Sequence, residues 1–235
     1  MNPRRQVAKY LISDFLTAGT SWTLFFVFRK IYFEPKKFGY PIPVDFNDSY
    51  FLGLAILPAL WLLLYYTTGY YKDVYRKSRL SELGQTIGTT FLGVLLIFFA
   101  LILDDTIVVY TNYYLSFFVL FSLHFTITYI PRLSFTTSST HKIHKRIIGF
   151  PTLLVGSDKK ALELYEEMES QPKSTGNKFI GFVNVRYYEK YLMASHLPNL
   201  GELKNINKRI EENNVRIVLI AIESHEHELL KTIIN

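Results

Sequence analysis

Long apolar segments constrain the fold of this chain more than any other feature of its sequence. Four of them are about 20 residues long, the length that an α-helix needs to cross the hydrocarbon core of a bilayer. They occupy residues 10–28, 49–68, 84–103 and 113–130. Only the first contains a residue that is charged at pH 7, Asp14. We therefore predict a domain of four transmembrane helices over residues 1–147 and a different kind of domain over residues 148–235.

The connector between the second and third segments, residues 69–83, determines the predicted orientation. Its basic side chains outnumber its acidic ones: Lys72, Arg76, Lys77 and Arg79 against Asp73 and Glu82. Short basic connectors are retained on the cytoplasmic side of a membrane. With this loop inside, both the N-terminus and the C-terminus of the chain are predicted to be cytoplasmic.

Other charged regions bear on this orientation. Basic residues precede the first segment and follow the fourth, on sides that are predicted to be cytoplasmic; they are Arg4, Arg5, Lys9, Arg132, Lys142, Lys145 and Arg146. The first connector opposes the assignment, because it is placed outside and yet contains Arg29, Lys30, Lys36 and Lys37. Three basic regions support the orientation and one opposes it, so we keep it.

Inside the segments, Asp14 is predicted to be structural, since it lies near the cytoplasmic end, where it can reach headgroups, Arg5 or Lys9. Gly84 and Gly88, with Gly93 further along, have the spacing that allows helix backbones to approach closely. These glycines predict helix packing.

Composition excludes several classes of function. With no cysteine, the chain has no disulfide framework, thiolate nucleophile or cysteine-ligated metal. The net charge of +6 arises mostly beside the apolar segments, so we predict no nucleic-acid partner. The histidine pairs at 141 and 144 and at 225 and 227 lack the spacing of a zinc protease and are predicted to be surface residues.

The second part of the chain alternates between strand and helix patterns. Residues 136–140 are a predicted polar linker, followed by apolar strands at 151–155, 179–183 and 215–222, helices at 158–170 and 203–213, and a further helix that starts at Ser224. Such alternation predicts a Rossmann-like α/β domain with a parallel sheet. Because three strands leave an edge uncovered, we expect the domain to be truncated and the chain to be the front part of a longer protein.

A turn after the first strand is the candidate cofactor-binding site. Gly156 and Ala161 stand where a dinucleotide-binding fingerprint has its first and third glycines. Asp158 stands at the second glycine position and adds a carboxylate where a diphosphate would come. The candidate residues are Gly156, Ser157, Asp158 and Ala161, with Lys159 and Lys160 nearby. Dinucleotide binding, a relic turn and a regulatory nucleotide site all remain open.

Four sequence motifs now point to a family. They are YRKSRLSEL at residues 75–83, LVGSDKKA at 154–161, GFV at 181–183 and LPNLGEL at 197–203. With these motifs the chain resembles the N-terminal portion of bacterial polyprenyl glycosylphosphotransferases. In that family, four membrane helices precede a Rossmann-like, CoA-binding-like domain, and a catalytic domain follows.

The resemblance implies a location, a reaction and partners. In the family, the catalytic domain uses an Asp–Glu pair and a magnesium ion to move a sugar 1-phosphate from a nucleotide sugar to a polyprenyl phosphate. No catalytic residue and no metal ligand carries over to this chain, and magnesium is expected only in the missing domain. The expected partner is the lipid bilayer of the bacterial inner membrane; polyprenyl phosphate and nucleotide sugar would be bound through the missing domain, and a homo-oligomer is left open.

Two alternatives remain. Membrane-bound nucleotide-sugar dehydratases share the four spans and the small Rossmann-like domain, but they continue into an NAD-binding domain with a Tyr-xxx-Lys pair. A membrane sensor or scaffold without enzymatic activity is the third hypothesis. The basic loop resembles that of the transferases, which favours the first of the three.

The absence of cysteine makes the predicted topology simple to test. A single cysteine introduced as Ser78→Cys lies in the basic connector and should react with a membrane-impermeant maleimide only from the cytoplasmic side. Labelling is measured in intact cells and in inverted vesicles. Reaction in intact cells would reverse the orientation of every span.

Overall fold

The computed structural model describes residues 3–40, 43–102 and 111–222. Within it the chain forms two units, Met1–Thr140 and His141–Asn235. The first unit is helical and the second is an α/β domain. This confirms the predicted fold class.

The first unit contains the four helices that are long and apolar enough to cross a membrane. Two of them have N-terminal caps formed by a side chain. Asn47 accepts a hydrogen bond from the Tyr50 N–H at the start of the helix α3 (Asp48–Thr67), and Ser78 accepts one from the Ser81 N–H at the start of α4 (Arg79–Ile97). The α4 helix continues into a π-helical turn at Phe98–Ile102. The helices are α1 (Pro3–Tyr32), α2 (Glu34–Phe38), α3 (Asp48–Thr67), α4 (Arg79–Ile97) and α5 (Thr111–His144).

Glycines without room for a methyl group set two of the helix contacts. A Cβ at Gly53 of α3 would lie 2.5 Å from the Trp22 ring of α1, and the Trp22 indole N–H donates to the Tyr50 carbonyl at 3.1 Å. A Cβ at Gly93 of α4 would lie 2.3 Å from the Trp61 ring of α3. The predicted packing role of Gly93 is therefore confirmed.

The prediction for Gly84 and Gly88 is wrong within the described part of the chain. A Cβ at either position would have no atom within 4 Å. Both glycines are exposed, whereas Gly93, further along α4, meets Trp61. The small-residue spacing indicated a contact but could not say which turn makes it.

The predicted polar linker at residues 136–140 is also wrong, because α5 continues through it to His144. Serine and threonine favour turns when their hydroxyls compete for the backbone. Here those hydroxyls have other partners. The Thr136 hydroxyl lies 3.1 Å from the Tyr10 hydroxyl, and Ser139 accepts a hydrogen bond from the Gln6 amide at 3.3 Å.

The second unit is built on a parallel sheet in the strand order β3–β2–β1–β4. The central strand, β1, contains the fully buried Leu153, Leu154 and Val155. Continuous apolar sequence is expected for a parallel strand that is covered on both faces. The elements are β1 (Phe150–Val155), α6 (Lys159–Ser170), β2 (Asn177–Asn184), β3 (Asn199–Glu202), α7 (Ile206–Glu212) and β4 (Ile217–Ile220).

The structure adds one strand to the three that were predicted. The new strand, β3, has only Leu200 as an apolar residue, so it has no hydrophobic pattern to reveal it. It is held by close packing, since a Cβ at Gly181 of β2 would lie 2.6 Å from Leu200. A 3-10 turn at Leu192–Ser195, and not an α-helix, lies between β2 and β3. The helix predicted from Ser224, with the histidines at 225 and 227, lies outside the described residues.

Matched glycine substitutions test the helix contacts. Gly93→Ala forces a methyl group into the Trp61 ring, which is buried and stacked on His124 at 3.6 Å, so the ring has little room to move. We expect a loss of about 1–3 kcal/mol in the free energy of unfolding. Gly88→Ala, on the open face of the same helix, should be neutral or stabilising by up to about 1 kcal/mol. Thermal unfolding in one detergent measures both, and equal effects would contradict the contact.

Candidate functional site

The strand order places the predicted phosphate turn where α/β proteins bind ligands. From β1 the chain moves outward to β2 and β3 on one side, and β4 then adds to the other side of β1. Ligands of open parallel sheets bind at the carboxyl ends of the two strands where the order reverses. Here these ends are Val155 of β1 and Ile220 of β4, and the turn follows Val155 directly.

Gly156 is required at this turn for a reason internal to the fold. Its φ angle is +132°, a conformation that residues with a side chain rarely adopt. A Cβ there would lie 2.1 Å from the Ala221 carbonyl oxygen, just after β4. It would also lie 3.3 Å from the Cβ of Ala161, which is fully buried. Gly156 and Ala161 thus allow the close strand and helix packing that the first and third fingerprint positions require.

The residue after Gly156 is held by contacts within the α/β domain. Ser157 is buried, and its carbonyl accepts a hydrogen bond from the Met193 N–H at 3.4 Å. Met193 belongs to the 3-10 turn between β2 and β3 and is fully buried. Asp158 stands at the N-cap of α6, but its side chain makes no capping hydrogen bond. Lys159 is mostly exposed and pairs with Glu163 at 3.7 Å.

The structure therefore brings Gly156, Ser157, Asp158 and Ala161 together in one turn at the expected edge of the sheet. The geometry accounts for the two small residues by packing. Asp158 takes the position in the sequence that the second glycine has in a complete fingerprint. Binding of a nucleotide at these four residues stays a prediction.

A second candidate site, which the sequence did not predict, lies among the helices of the first unit. Asp14 of α1 and Arg132 of α5 form an ion pair there, with the Arg132 Nε 2.8 Å from Asp14 Oδ1. Both side chains are buried, at 1% and 0% exposure. The Tyr71 hydroxyl donates to the second carboxylate oxygen, Oδ2, at 2.9 Å. The burial of Tyr71, and then the negative charge of Asp14 beside it, raise the pKa of the Tyr71 hydroxyl.

Aromatic rings surround the Arg132 guanidinium. Its central carbon lies 4.0 Å from the ring centre of Tyr65 and 3.7 Å from that of Tyr70. The Lys77 ammonium lies 3.2 Å from the Tyr70 ring centre. Because two cations at such distances cannot share one face, the Tyr70 ring lies between them.

Lys77 is attached to the same region by hydrogen bonds to the Tyr70 carbonyl and, at 3.0 Å, to the Gln85 side chain. Burial, and then the charge of Arg132, lower the pKa of Lys77 to about 7. The basic connector therefore carries less positive charge near neutral pH than its sequence indicates.

A second acidic group, Glu82, belongs to the same region. Glu82 of α4 accepts a hydrogen bond from the Thr136 hydroxyl at 3.0 Å, so the Tyr10 hydroxyl is the donor in its own 3.1 Å contact with Thr136. Thr136 lies four residues after Arg132, one turn along α5. We call these interacting residues the buried polar cluster. They are Asp14, Arg132, Glu82, Tyr70, Tyr71, Lys77, Thr136 and Tyr10.

Comparison with known proteins gives one finding. A family model described as a CoA-binding domain matches residues 66–235, which is more than half of the chain. The chain belongs to this CoA-binding domain family. A search among curated proteins finds no match. The part matched to the CoA-binding domain family includes the basic connector, α4 and α5 as well as the α/β domain, whereas Asp14 and Tyr10 precede it.

The structure pairs Asp14 with Arg132 and Tyr71, which were not among the partners predicted for it. Arg132, predicted as a cytoplasmic flanking charge, is buried. A signal was present in the sequence. Polar residues recur every four positions along α5 and form one buried stripe, consisting of His124, Thr128, Arg132 and Thr136.

A double-mutant cycle tests the ion pair. Asp14→Asn or Arg132→Met should each reduce the free energy of unfolding by about 3–5 kcal/mol, because one buried group is left without its partner. The double variant should lose clearly less than the sum of the two. Glu34→Gln, which removes the half-buried pair of α1 and α2 with Lys30, should cost only about 0.2–0.5 kcal/mol. Additive losses at Asp14 and Arg132 in detergent unfolding would refute the coupling.

Proposed function

We propose that this chain is the membrane-anchoring and accessory part of a polyprenyl-phosphate sugar-1-phosphate transferase in bacterial exopolysaccharide or capsule biosynthesis. The observation that carries the proposal is the combination in one chain of four membrane-length helices and a parallel-sheet domain of the CoA-binding domain family. The family match extends over α4 and α5, which supports a domain that works beside a membrane.

In this proposal the first unit supplies attachment to the inner membrane, with both ends of the chain in the cytoplasm. The α/β domain is then on the side where nucleotide sugars are made. Transfer chemistry, magnesium, polyprenyl phosphate and nucleotide sugar belong to a catalytic domain that these 235 residues do not include. The chain itself is proposed to be inactive.

The α/β domain is proposed to act as an accessory or regulatory module. Its turn at Gly156–Ala161 has the packing of a Rossmann turn, with Asp158 in place of the glycine that would admit a diphosphate. A dehydratase or a sensor would contain the same four helices and α/β domain. Measurements of ligand binding and of enzymatic activity are therefore needed to separate these alternatives.

The test is an assay in isolated membranes. Membranes that contain this chain alone should convert no labelled UDP-sugar to a polyprenyl-linked product. The same chain joined to the catalytic domain of a known sugar-1-phosphate transferase should form the product in the membrane fraction. A matched fusion with Arg132→Met, which damages the anchor and leaves the catalytic domain intact, should form less of it.

Two results would contradict the proposal. Turnover by the chain alone would show that its chemistry lies within these residues. Tight binding of NAD by the purified full chain, measured by calorimetry in detergent, would favour a redox function for the chain itself. Asp158→Gly is the control for that measurement, because it restores the missing glycine of the fingerprint.

A further inference from the structure

We propose that the buried polar cluster binds internal water between Arg132, Glu82 and Tyr70, and that this water links Asp14, Arg132 and Glu82 into one charged triad. The inference rests on the geometry of the first unit and is independent of the proposed transferase function. It assigns a ligand to polar atoms that no protein group satisfies.

Arg132 has hydrogen-bonding capacity that the protein does not use. A guanidinium has five N–H donors, one on Nε and two on each Nη. The Nε donor is bonded to Asp14, whereas Nη1 and Nη2 are buried and have no hydrogen-bond partner. The rings of Tyr65 and Tyr70 stabilise the positive charge by cation–π contact. Leaving buried donors of a charged group unsatisfied is strongly unfavourable.

Two more buried atoms of the cluster are in the same condition. Glu82 Oε1 and the Tyr70 hydroxyl are buried without a hydrogen-bond partner, although the other Glu82 oxygen accepts from Thr136. Thr136 is one helical turn from Arg132, and the Tyr70 ring lies against the guanidinium. The cluster therefore contains donors on Arg132, an acceptor on Glu82 and a hydroxyl on Tyr70 that can serve as either, all without partners in the protein.

Water is the ligand that this set fits. A buried water molecule makes about two to four hydrogen bonds with otherwise unsatisfied polar groups. It can accept from the Arg132 Nη groups and donate to Glu82 Oε1, which no simple ion does. An anion would be repelled by Glu82 and Asp14, and a cation would be repelled by Arg132. Glu82 cannot turn fully towards Arg132 without giving up its bond to Thr136.

Such water would give the bundle one polar centre. Asp14 lies on α1, Glu82 on α4 and Arg132 on α5, and Tyr70 lies in the basic connector. Bridging by water would let one guanidinium offset two carboxylates without a second direct contact. It would also fix the position of the connector relative to three helices.

Radiolytic hydroxyl labelling with mass spectrometry tests this on the full chain in detergent. Radicals formed from a bound water modify side chains next to it, even when bulk solvent does not reach them. Tyr70 and Phe25 are both fully buried. We expect Tyr70 to be modified several-fold faster than Phe25, by more than the intrinsic reactivities of the two rings differ. Equal normalised rates would mean a dry cluster and would overturn the proposal.

Two substitutions locate the water. Glu82→Gln keeps an oxygen acceptor and should preserve the labelling of Tyr70, whereas Glu82→Leu removes it and should reduce the rate at Tyr70 to that of Phe25. Unchanged labelling in Glu82→Leu would place the water away from Glu82 and refute the triad. Loss of labelling when chloride replaces a large organic anion in the wild-type buffer would identify an anion site instead. If Glu82→Leu does not fold, the wild-type comparison and Glu82→Gln still decide.

Discussion

The ion pair between Asp14 and Arg132 is the contact on which the first unit most depends. It joins α1 to α5 across 118 residues of sequence, and neither side chain is accessible to solvent. A charge buried away from water is strongly unfavourable without a partner. The ion pair therefore determines how α1 and α5 are rotated about their axes, and shifted along them, relative to each other. Apolar packing alone would not set either so narrowly, since lipid tails are as apolar as the helix surfaces.

The same pair explains why the basic connector is ordered against the helices. Tyr71 donates to Asp14, Tyr70 stacks on Arg132, and Lys77 caps the far face of Tyr70. Cationic residues in this loop were predicted to act by their attraction to the cytoplasmic side of the membrane. In the structure, Lys77 also has a packing role, and its lowered pKa is the cost of that burial. The basic connector, on which the predicted membrane topology depends, therefore also takes part in the tertiary contacts of the first unit.

The features that sequence predicts well are those with strong local patterns. Long runs of apolar residues predicted the four helices, and short apolar runs predicted β1, β2 and β4. The failures share one physical cause, which is that distant partners decide the outcome. Thr136 is helical because Glu82 and Tyr10 satisfy its hydroxyl, and β3 exists because Gly181 lets Leu200 approach β2. The four residues of the candidate turn were proposed from spacing, and their role as a nucleotide site stays a prediction. The pairing of Asp14 with Arg132 could not be predicted, because it depends on how the helices assemble.

The turn at Gly156 shows why membership of the CoA-binding domain family establishes a fold more firmly than a ligand. The glycine is fixed by the Ala221 carbonyl and by the positive φ angle, both of which belong to the sheet and would be needed without any nucleotide. In the fingerprint, the middle position governs the approach of a diphosphate, and Asp158 occupies that position here. The fold and a diphosphate therefore depend on different positions of one short turn, so a chain can keep the fold of the family whether or not it binds a nucleotide.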